Sequence, residues 1–237
     1  MDNSAARLLR VLERCKEIDT GVDCATAWRE VLAAPDNNVL LGAFGEFFTL
    51  VNDTASEVLH RHPDLVDAVD HWRSRIFNGF NATQMNGRWE HFLAHIDNVT
   101  LFSLRSQAKV LHSEERRTEL APDQLSQIYQ HLSQALELIG NGDMPVEIRE
   151  MLIGRIENLQ ALINRYRFVG QKALLDSAKL LAADVASIPV SQIEGLKKAG
   201  IYDQIRESLA ILANATTISA TGPMIAGAAQ NLLSLIR

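Results

Sequence analysis

Cysteine is scarce in this sequence, where Cys15 and Cys24 are the only two among 237 residues. They show neither the close spacing of a cysteine metal site nor the dense, even-numbered set of a disulfide framework. The first segment, Met1 to Arg14, alternates charged and apolar residues, so it lacks the uninterrupted apolar core of a secretory signal. We therefore expect a protein of the reducing cytoplasm.

Clean alternation of apolar and polar residues with a period of two is also missing, which argues against half-buried strands. Apolar residues instead recur at spacings of three and four, the pattern of helices with one buried side. With 47% hydrophobic residues the chain can bury a sizeable core. The sequence predicts an all-α multi-helix bundle of about ten helices without a sheet. We expect two packed sub-bundles, residues 1–119 and 120–237.

The chain has no basic excess, because 23 Lys and Arg residues stand against 29 Asp and Glu residues, a formal net charge of -6. Bulk nucleic acid is therefore not an expected partner. No catalytic triad, phosphate loop or cysteine metal site is recognisable either. We expect no cofactor and interpret the chain as a protein without its own catalytic centre.

The residues from Pro145 to Ser187 form the longest helical tract, with Leu152, Leu159 and Tyr166 recurring every seven residues. Pro145 favours a helix start, and Gly170 is expected to bend the tract or to allow a close crossing. The apolar stripe needs a partner, either inside the chain or on another protein. The carboxyl-terminal half, 120–237, is predicted to be built on this tract.

A second dense apolar segment runs from Asn37 or Asn38 to about His60. Leu40, Leu41 and Phe44 belong to a run so apolar that most of the circumference is predicted to be buried. Gly42 and Gly45 are predicted to permit close helix contact, because no strand precedes them as a phosphate loop would require.

Two histidines, His91 and His95, lie four residues apart and would share one side of a continuous helix, as two zinc ligands must. Glu90 precedes the pair, so the general base of a metalloprotease motif is misplaced. The alternative interpretation is that both histidines are solvent-facing or hydrogen-bonded.

An arginine is followed seven residues later by a histidine at Arg88 to His95 and at Arg105 to His112. In this respect the region resembles the Arg-to-His motif of HEPN-type ribonucleases, small helical domains that dimerise around an RNA phosphate. The resemblance implies that Arg105 would stabilise charge on the phosphate and that His112 would transfer a proton.

No charged residue occurs from Leu209 to Ile236, although polar residues and Gly222-Pro223 interrupt this tail. A membrane segment is one interpretation, and a packed hairpin or subunit interface is the favoured one.

The sequence from Met144 to Arg149, leading to Arg165 to Gly170, marks a stretch, residues 145–181, that resembles a helix in uncharacterised bacterial proteins, some from antiphage-defence loci. This resemblance implies an accessory or effector role in antiviral defence in a bacterium. It assigns no catalytic residue.

We interpret the chain as a helical interaction or regulatory module that binds a protein partner or itself. The expected contact surfaces are Leu152, Leu159, Tyr166 and the 209–236 tail. The alternatives are a metal-independent HEPN-like ribonuclease and a membrane-active effector that uses the tail.

Overall fold

The computed structural model describes residues 1–114, 119–142 and 144–219, and the chain divides into two units, residues 1–114 and 115–237. The division falls a few residues before the predicted boundary at residue 119. Within the described residues every regular element is helical, and one isolated bridge between Asp23 and Arg88 is the sole β pairing. The predicted all-α class is confirmed.

The amino-terminal unit contains six α-helices and one short 3-10 helix, and it is described throughout. The helices are α1 (Ser4–Glu17), α2 (Cys24–Val31), α3 (Asn37–Arg61), the 3-10 helix (Pro63–Leu65), α4 (Val66–Ala82), α5 (Trp89–Leu93) and α6 (Asn98–Glu114). Helix α1 packs against α3 and α6, and α4 packs against α6. One side chain joins two of these helices, because Asn3 caps α1 through the Ala6 N–H and donates its Nδ2 to the Ala108 carbonyl oxygen at 2.9 Å.

Aromatic rings fill the core between α2, α3, α4 and α5. The indole of Trp28 is fully enclosed, with its ring centroid 4.7 Å from that of Phe80 and 4.8 Å from that of Phe92. Trp89 lies edge-on to it and donates its Nε1 to the Cys15 carbonyl oxygen at 3.0 Å. Truncating such a ring to alanine typically costs about 3–5 kcal/mol, so this cluster is a main source of stability in the unit.

The continuous helix that the spacing of His91 and His95 requires is divided in two. Helix α5 ends at Leu93, and α6 begins at Asn98, directly after Asp97. The Asp97 carboxylate accepts a hydrogen bond from the Thr100 N–H at 2.7 Å, which is the geometry of an N-cap. A new helix therefore starts where the sequence pattern alone predicted continuation.

The carboxyl-terminal unit contains five helices within its described residues. They are α7 (Pro122–Asn141), α8 (Val146–Asn164), α9 (Tyr166–Ser187), α10 (Val190–Lys198) and α11 (Ile201–Ser219). Helix α11 packs mainly along α7, where Gln204 Oε1 lies 2.7 Å from His131 Nδ1. No helix in the described ranges is both long enough and apolar enough to cross a bilayer. Most of the predicted tail, from residue 220 onward, lies outside the described residues.

The tract from Pro145 to Ser187 folds back on itself as the hairpin of α8 and α9. Arg155 Nε lies 2.6 Å from Asp184 Oδ2, and Asn158 Nδ2 donates to Ser177 Oγ at 3.0 Å, so the two helices run antiparallel. The expected bend at Gly170 is confirmed, because this residue has φ 72° and ψ −177°, a conformation essentially restricted to glycine. The break at Arg165, the residue that separates α8 from α9, was not predicted.

Candidate functional site

One side of α3 faces solvent over most of the helix, and Glu46, which is half-buried, borders it next to Gly45. Its exposed positions recur at spacings of three and four, and we call this set the α3 face: Asn38, Leu41, Gly42, Gly45, Thr49 and Asn52. At the usual helical rise the face is about 21 Å long. An uncharged strip of this length is available for contact with another helix.

Leu41 is the most exposed of the large hydrophobic side chains described, with 71% of its surface accessible. The sequence predicted it to be buried, and this prediction is wrong. Its neighbour Leu40 is buried, because a helix turns by about 100° per residue and α3 turns Leu40 toward the core. One exposed leucine is ordinary in a soluble protein, so its significance depends on the residues around it.

Within the described part of the chain, neither packing nor backbone conformation requires glycine at the two positions near Leu41. A Cβ atom built on Gly42 or on Gly45 would meet no described atom within 4 Å, and neither glycine has a positive φ. Glycine inside a helix costs about 1 kcal/mol relative to alanine, so each weakens α3 without a benefit to packing. The predicted close helix contact at these positions is not made by any described residue.

Aromatic side chains border the α3 face and fix α3 on α4. The half-buried ring of Phe48 stacks on Phe77, with centroids 5.6 Å apart and planes inclined by 7°. Phe44, also half-buried, lies 5.5 Å from Phe80 in an edge-on arrangement. These contacts keep the face rigid and extend its apolar character to one side.

Two of the three polar side chains of the α3 face have hydrogen-bond partners. Thr49 Oγ1 donates to the Gly45 carbonyl oxygen at 2.8 Å, and Asn52 Oδ1 accepts from Arg73 Nη2 at 2.8 Å. Arg73 is the charged group that meets the face at its carboxyl end. The residues of the face itself carry no charge, so the desolvation cost of covering them is low as long as Glu46, at the border, stays in contact with water.

The residues that the sequence proposed as a contact surface belong to the interior. Leu152 and Leu159 are fully buried, and Tyr166 is 5% exposed, all within the core of the carboxyl-terminal unit. Their apolar stripe is covered by helices of the same unit, so the prediction that it faces a partner is corrected. Of the 209–236 tail, the structure describes only the part within α11, up to residue 219, and α11 packs on α7.

Arg105 and His112 both lie on α6, two helical turns apart. Arg105 Nη2 is 2.6 Å from Glu13 Oε1 on α1, and both side chains are about half exposed. A carboxylate at this distance pairs with the guanidinium charge that would otherwise bind an RNA phosphate. The ribonuclease hypothesis stays a prediction for this pair, while Arg88 and His95 do not share a helix, because α5 ends before His95.

His91 and His95 do not form the expected pair on one helix. His91 lies on α5 and is exposed, but His95 follows the end of that helix, and its carbonyl oxygen accepts from Arg75 Nε at 2.8 Å. No group of three or more metal-ligating side chains occurs in the described part of the chain. The spacing of four residues was misleading because Asp97 starts a new helix.

Both cysteines are free and buried. Burial raises the pKa of the Cys15 thiol far above its ordinary value. Burial, together with the negative charge of Asp23, raises the pKa of Cys24 to about 11. Because the thiolate is the reactive form, neither cysteine is suited to nucleophilic or redox chemistry in the folded protein.

Comparison with known proteins adds no further constraint on the site. No protein-family model, curated protein or solved structure matches this chain. The resemblance of residues 145–181 to helical proteins of antiphage-defence loci therefore stays a prediction.

Proposed function

We propose that the protein is an interaction module that associates with a second copy of itself through the α3 face. The observation that carries the proposal is the exposed Leu41 beside two glycines whose Cβ positions are open. Inside one chain this combination lowers stability, so its benefit is expected in a complex. Glycine permits the backbones of two helices to approach closely, and the leucine supplies the apolar area.

The α3 face is complementary to itself in shape. Leu41 projects from the helix, and Gly45 leaves a hollow one turn further along the same side. If two copies cross antiparallel about a two-fold axis that passes midway between Leu41 and Gly45, each Leu41 meets the Gly45 of the other copy. Two-fold interfaces have this reciprocal form, in which residue i contacts j and j contacts i.

Charge also favours association of two copies through the α3 face rather than through other surfaces. The chain carries a formal net charge of -6, so two copies repel each other at long range. The six residues of the α3 face carry no charge, so an approach through them brings fewer like charges together than an approach through the charged surfaces, although Glu46 stands at the border of the face. Because one helix face with an aromatic border is smaller than a standard interface, we expect a weak dimer with a Kd of about 10 µM.

Sedimentation equilibrium over a wide concentration range tests this dimer. We expect the unchanged protein to pass from monomer to dimer, whereas Leu41→Glu and Gly45→Leu remain monomeric. Leu180 is 51% exposed on α9, and a Cβ on Gly154 of α8 would meet no described atom within 4 Å. Leu180→Glu and Gly154→Leu are therefore matched controls, and both should dimerise as the unchanged protein does.

Disulfide trapping tests the register of the two copies. A mixture of Leu41→Cys and Gly45→Cys proteins should form a mixed disulfide dimer, while either variant alone should cross-link poorly because its two cysteines lie about one turn too far apart. The buried Cys15 and Cys24 should give no background. A monomer at every concentration, or equal cross-linking in all three samples, would refute the proposed face.

A further inference from the structure

Helix α6 exposes a row of apolar side chains that is separate from the α3 face. Phe102 is 68% exposed, the largest exposed fraction of any aromatic side chain described, and Val99, one turn before it, is 57% exposed. Val110 continues the row at 37%, and serines occupy the positions between and after these residues. We call this set the α6 face: Val99, Phe102, Ser106, Val110 and Ser113.

The spacing of the α6 face is that of one side of a helix. Its members follow one another at three or four residues, so they form a single row about 21 Å long at the usual helical rise. Leu104, Ala108 and Leu111 lie on the opposite side of α6 and are buried in the unit. The core side of α6 is therefore occupied, and the row points away from it into solvent.

Basic side chains border the α6 face where α6 meets α1. Arg105 Nη2 lies 2.6 Å from Glu13 Oε1, so these two charges compensate each other. Lys109, one turn after Arg105, and Arg14, directly after Glu13, are exposed and have no hydrogen bond or ion pair with another described residue. Glu17, one turn further along α1, is the other acidic residue of that helix. The border therefore carries more positive than negative charge.

This positive border contrasts with the chain as a whole, which has a formal net charge of -6. Helix α6 contains no acidic residue before Glu114, its last residue. An acidic partner is attracted to such a border, and its apolar residues can then cover Phe102. A buried aromatic anchor with a charged rim is the usual organisation of a protein interface.

The single apolar row limits the shape of the partner. An amphipathic helix presents a matching row at spacings of three and four residues. A second copy that docked antiparallel through its own α6 face would bring both basic borders to the same side, where they repel each other. An anionic membrane would attract the border but repel the rest of this acidic chain, and one narrow row offers it little apolar area.

We propose that the α6 face binds an amphipathic helix of a partner protein. The apolar row of that helix contacts Phe102, and acidic residues along its edge pair with Lys109 and Arg14. This interaction goes beyond the self-association through the α3 face and does not depend on it, because the two faces lie on different helices.

Three synthetic peptides of about 20 residues, long enough to form a helix, test the proposal with the full chain. They share one row of leucines and differ only at the flanking positions, which are Glu, Ser or Lys. Fluorescence anisotropy of labelled peptides should show that the Glu peptide binds about tenfold more tightly than the Lys peptide, because each exposed ion pair changes affinity by up to about fivefold. Equal affinities would overturn the proposal.

Two variants separate the apolar and charged contributions. Phe102→Ser should weaken binding of the Glu peptide at least about tenfold, since it removes the aromatic anchor. Lys109→Glu should reduce the preference for the Glu peptide over the Lys peptide. Leu180→Ser and Lys198→Glu change exposed residues of the other unit and should leave every affinity as it is in the unchanged protein.

Leu41→Glu distinguishes this interaction from the proposed dimer, because it alters the α3 face and should bind the Glu peptide normally. Loss of peptide binding in Leu41→Glu alone would place the peptide on the α3 face. Unchanged binding in Phe102→Ser, or no binding of any peptide, would refute the α6 face as a helix-binding site.

Vesicles of phosphatidylcholine and phosphatidylserine distinguish a membrane from a helix. We expect the chain to stay in solution when such vesicles are sedimented. Sedimentation with the vesicles that Phe102→Ser abolishes would overturn the proposal in favour of a membrane surface. A thermal unfolding curve of each variant checks that it is folded, so a loss of binding is not mistaken for a loss of structure.

Discussion

The backbone N–H of Leu120 donates a hydrogen bond to the Oη atom of Tyr166 at 2.8 Å, although the two residues are 46 positions apart. Leu120 precedes α7, and Tyr166 is the first residue of α9, so this bond ties the start of the carboxyl-terminal unit to its central hairpin. Both residues are buried, and water cannot replace the phenol as a partner of this N–H.

Tyr166→Phe should therefore lower the free energy of unfolding by about 1–3 kcal/mol, because it leaves a buried donor unsatisfied while it preserves the ring. Urea denaturation followed by circular dichroism measures the change. Tyr129, which is 37% exposed on α7, provides the control, and Tyr129→Phe should stay within about 0.5 kcal/mol of the unchanged protein. Equal effects at both tyrosines would contradict this role for the hydroxyl group of Tyr166.

Two glycines of the hairpin are expected to respond to alanine in opposite directions. Gly170 has φ 72° and ψ −177°, so Gly170→Ala should cost about 1–3 kcal/mol in backbone strain. Gly154 lies inside α8 with open space at its Cβ position, so Gly154→Ala should raise stability by about 1 kcal/mol through helix propensity. Thermal and urea denaturation of both variants measure the difference. Stabilisation by Gly170→Ala would disprove the observed backbone conformation.

The charge of Asp97, which precedes α6, should make the free energy of unfolding depend on pH. Partial burial raises the pKa of this carboxyl, but the hydrogen bond from the Thr100 N–H and the contact with His71 outweigh it, so the pKa lies below the ordinary value of 3.8. The folded protein thus retains the carboxylate to lower pH than the unfolded chain does. The contribution of the Asp97 carboxylate to the free energy of unfolding is complete above the ordinary pKa. It is lost as the pH falls through the pKa of the folded state.

Asp97→Asn tests the charge without removing the cap, because asparagine also accepts the Thr100 N–H. The unchanged protein should lose more free energy of unfolding between about pH 6 and about pH 3 than the variant does. The variant should also be less stable at neutral pH, where it lacks the attraction to Arg75, whose Nε lies 3.2 Å from Asp97 Oδ2. If the free energies of unfolding of the two proteins changed in parallel with pH, the charge of Asp97 would not contribute to stability.

Helix starts were the part of the fold that the sequence predicted best, because caps and prolines act within a few residues. Pro145, the predicted helix start, directly precedes α8, and the segment predicted to begin at Asn37 or Asn38 is α3, which begins at Asn37. The same local chemistry marked the start of α6 at Asp97, but the apolar pattern on either side concealed it. The bend at Gly170 was likewise predicted from the residue type alone.

Features decided by packing could not be predicted in this way. Nothing near Arg165 breaks a helix by its own preference, and the chain turns there so that Tyr166 reaches Leu120. The solvent side of α3 was equally hidden, since Leu40 and Leu41 have the same chemistry. Only the positions of α1, α2 and α4 decide which of the two is covered.

The tryptophan residues all belong to one unit, which gives that unit an optical probe of its own. Trp28, Trp72 and Trp89 belong to residues 1–114, while Tyr129, Tyr166 and Tyr202 all belong to residues 115–237. Fluorescence excited where tyrosine does not absorb therefore monitors the amino-terminal unit alone, whereas circular dichroism monitors the helices of both units. A single denaturant titration read by both signals distinguishes concerted unfolding of the chain from sequential unfolding, with no label and no truncation.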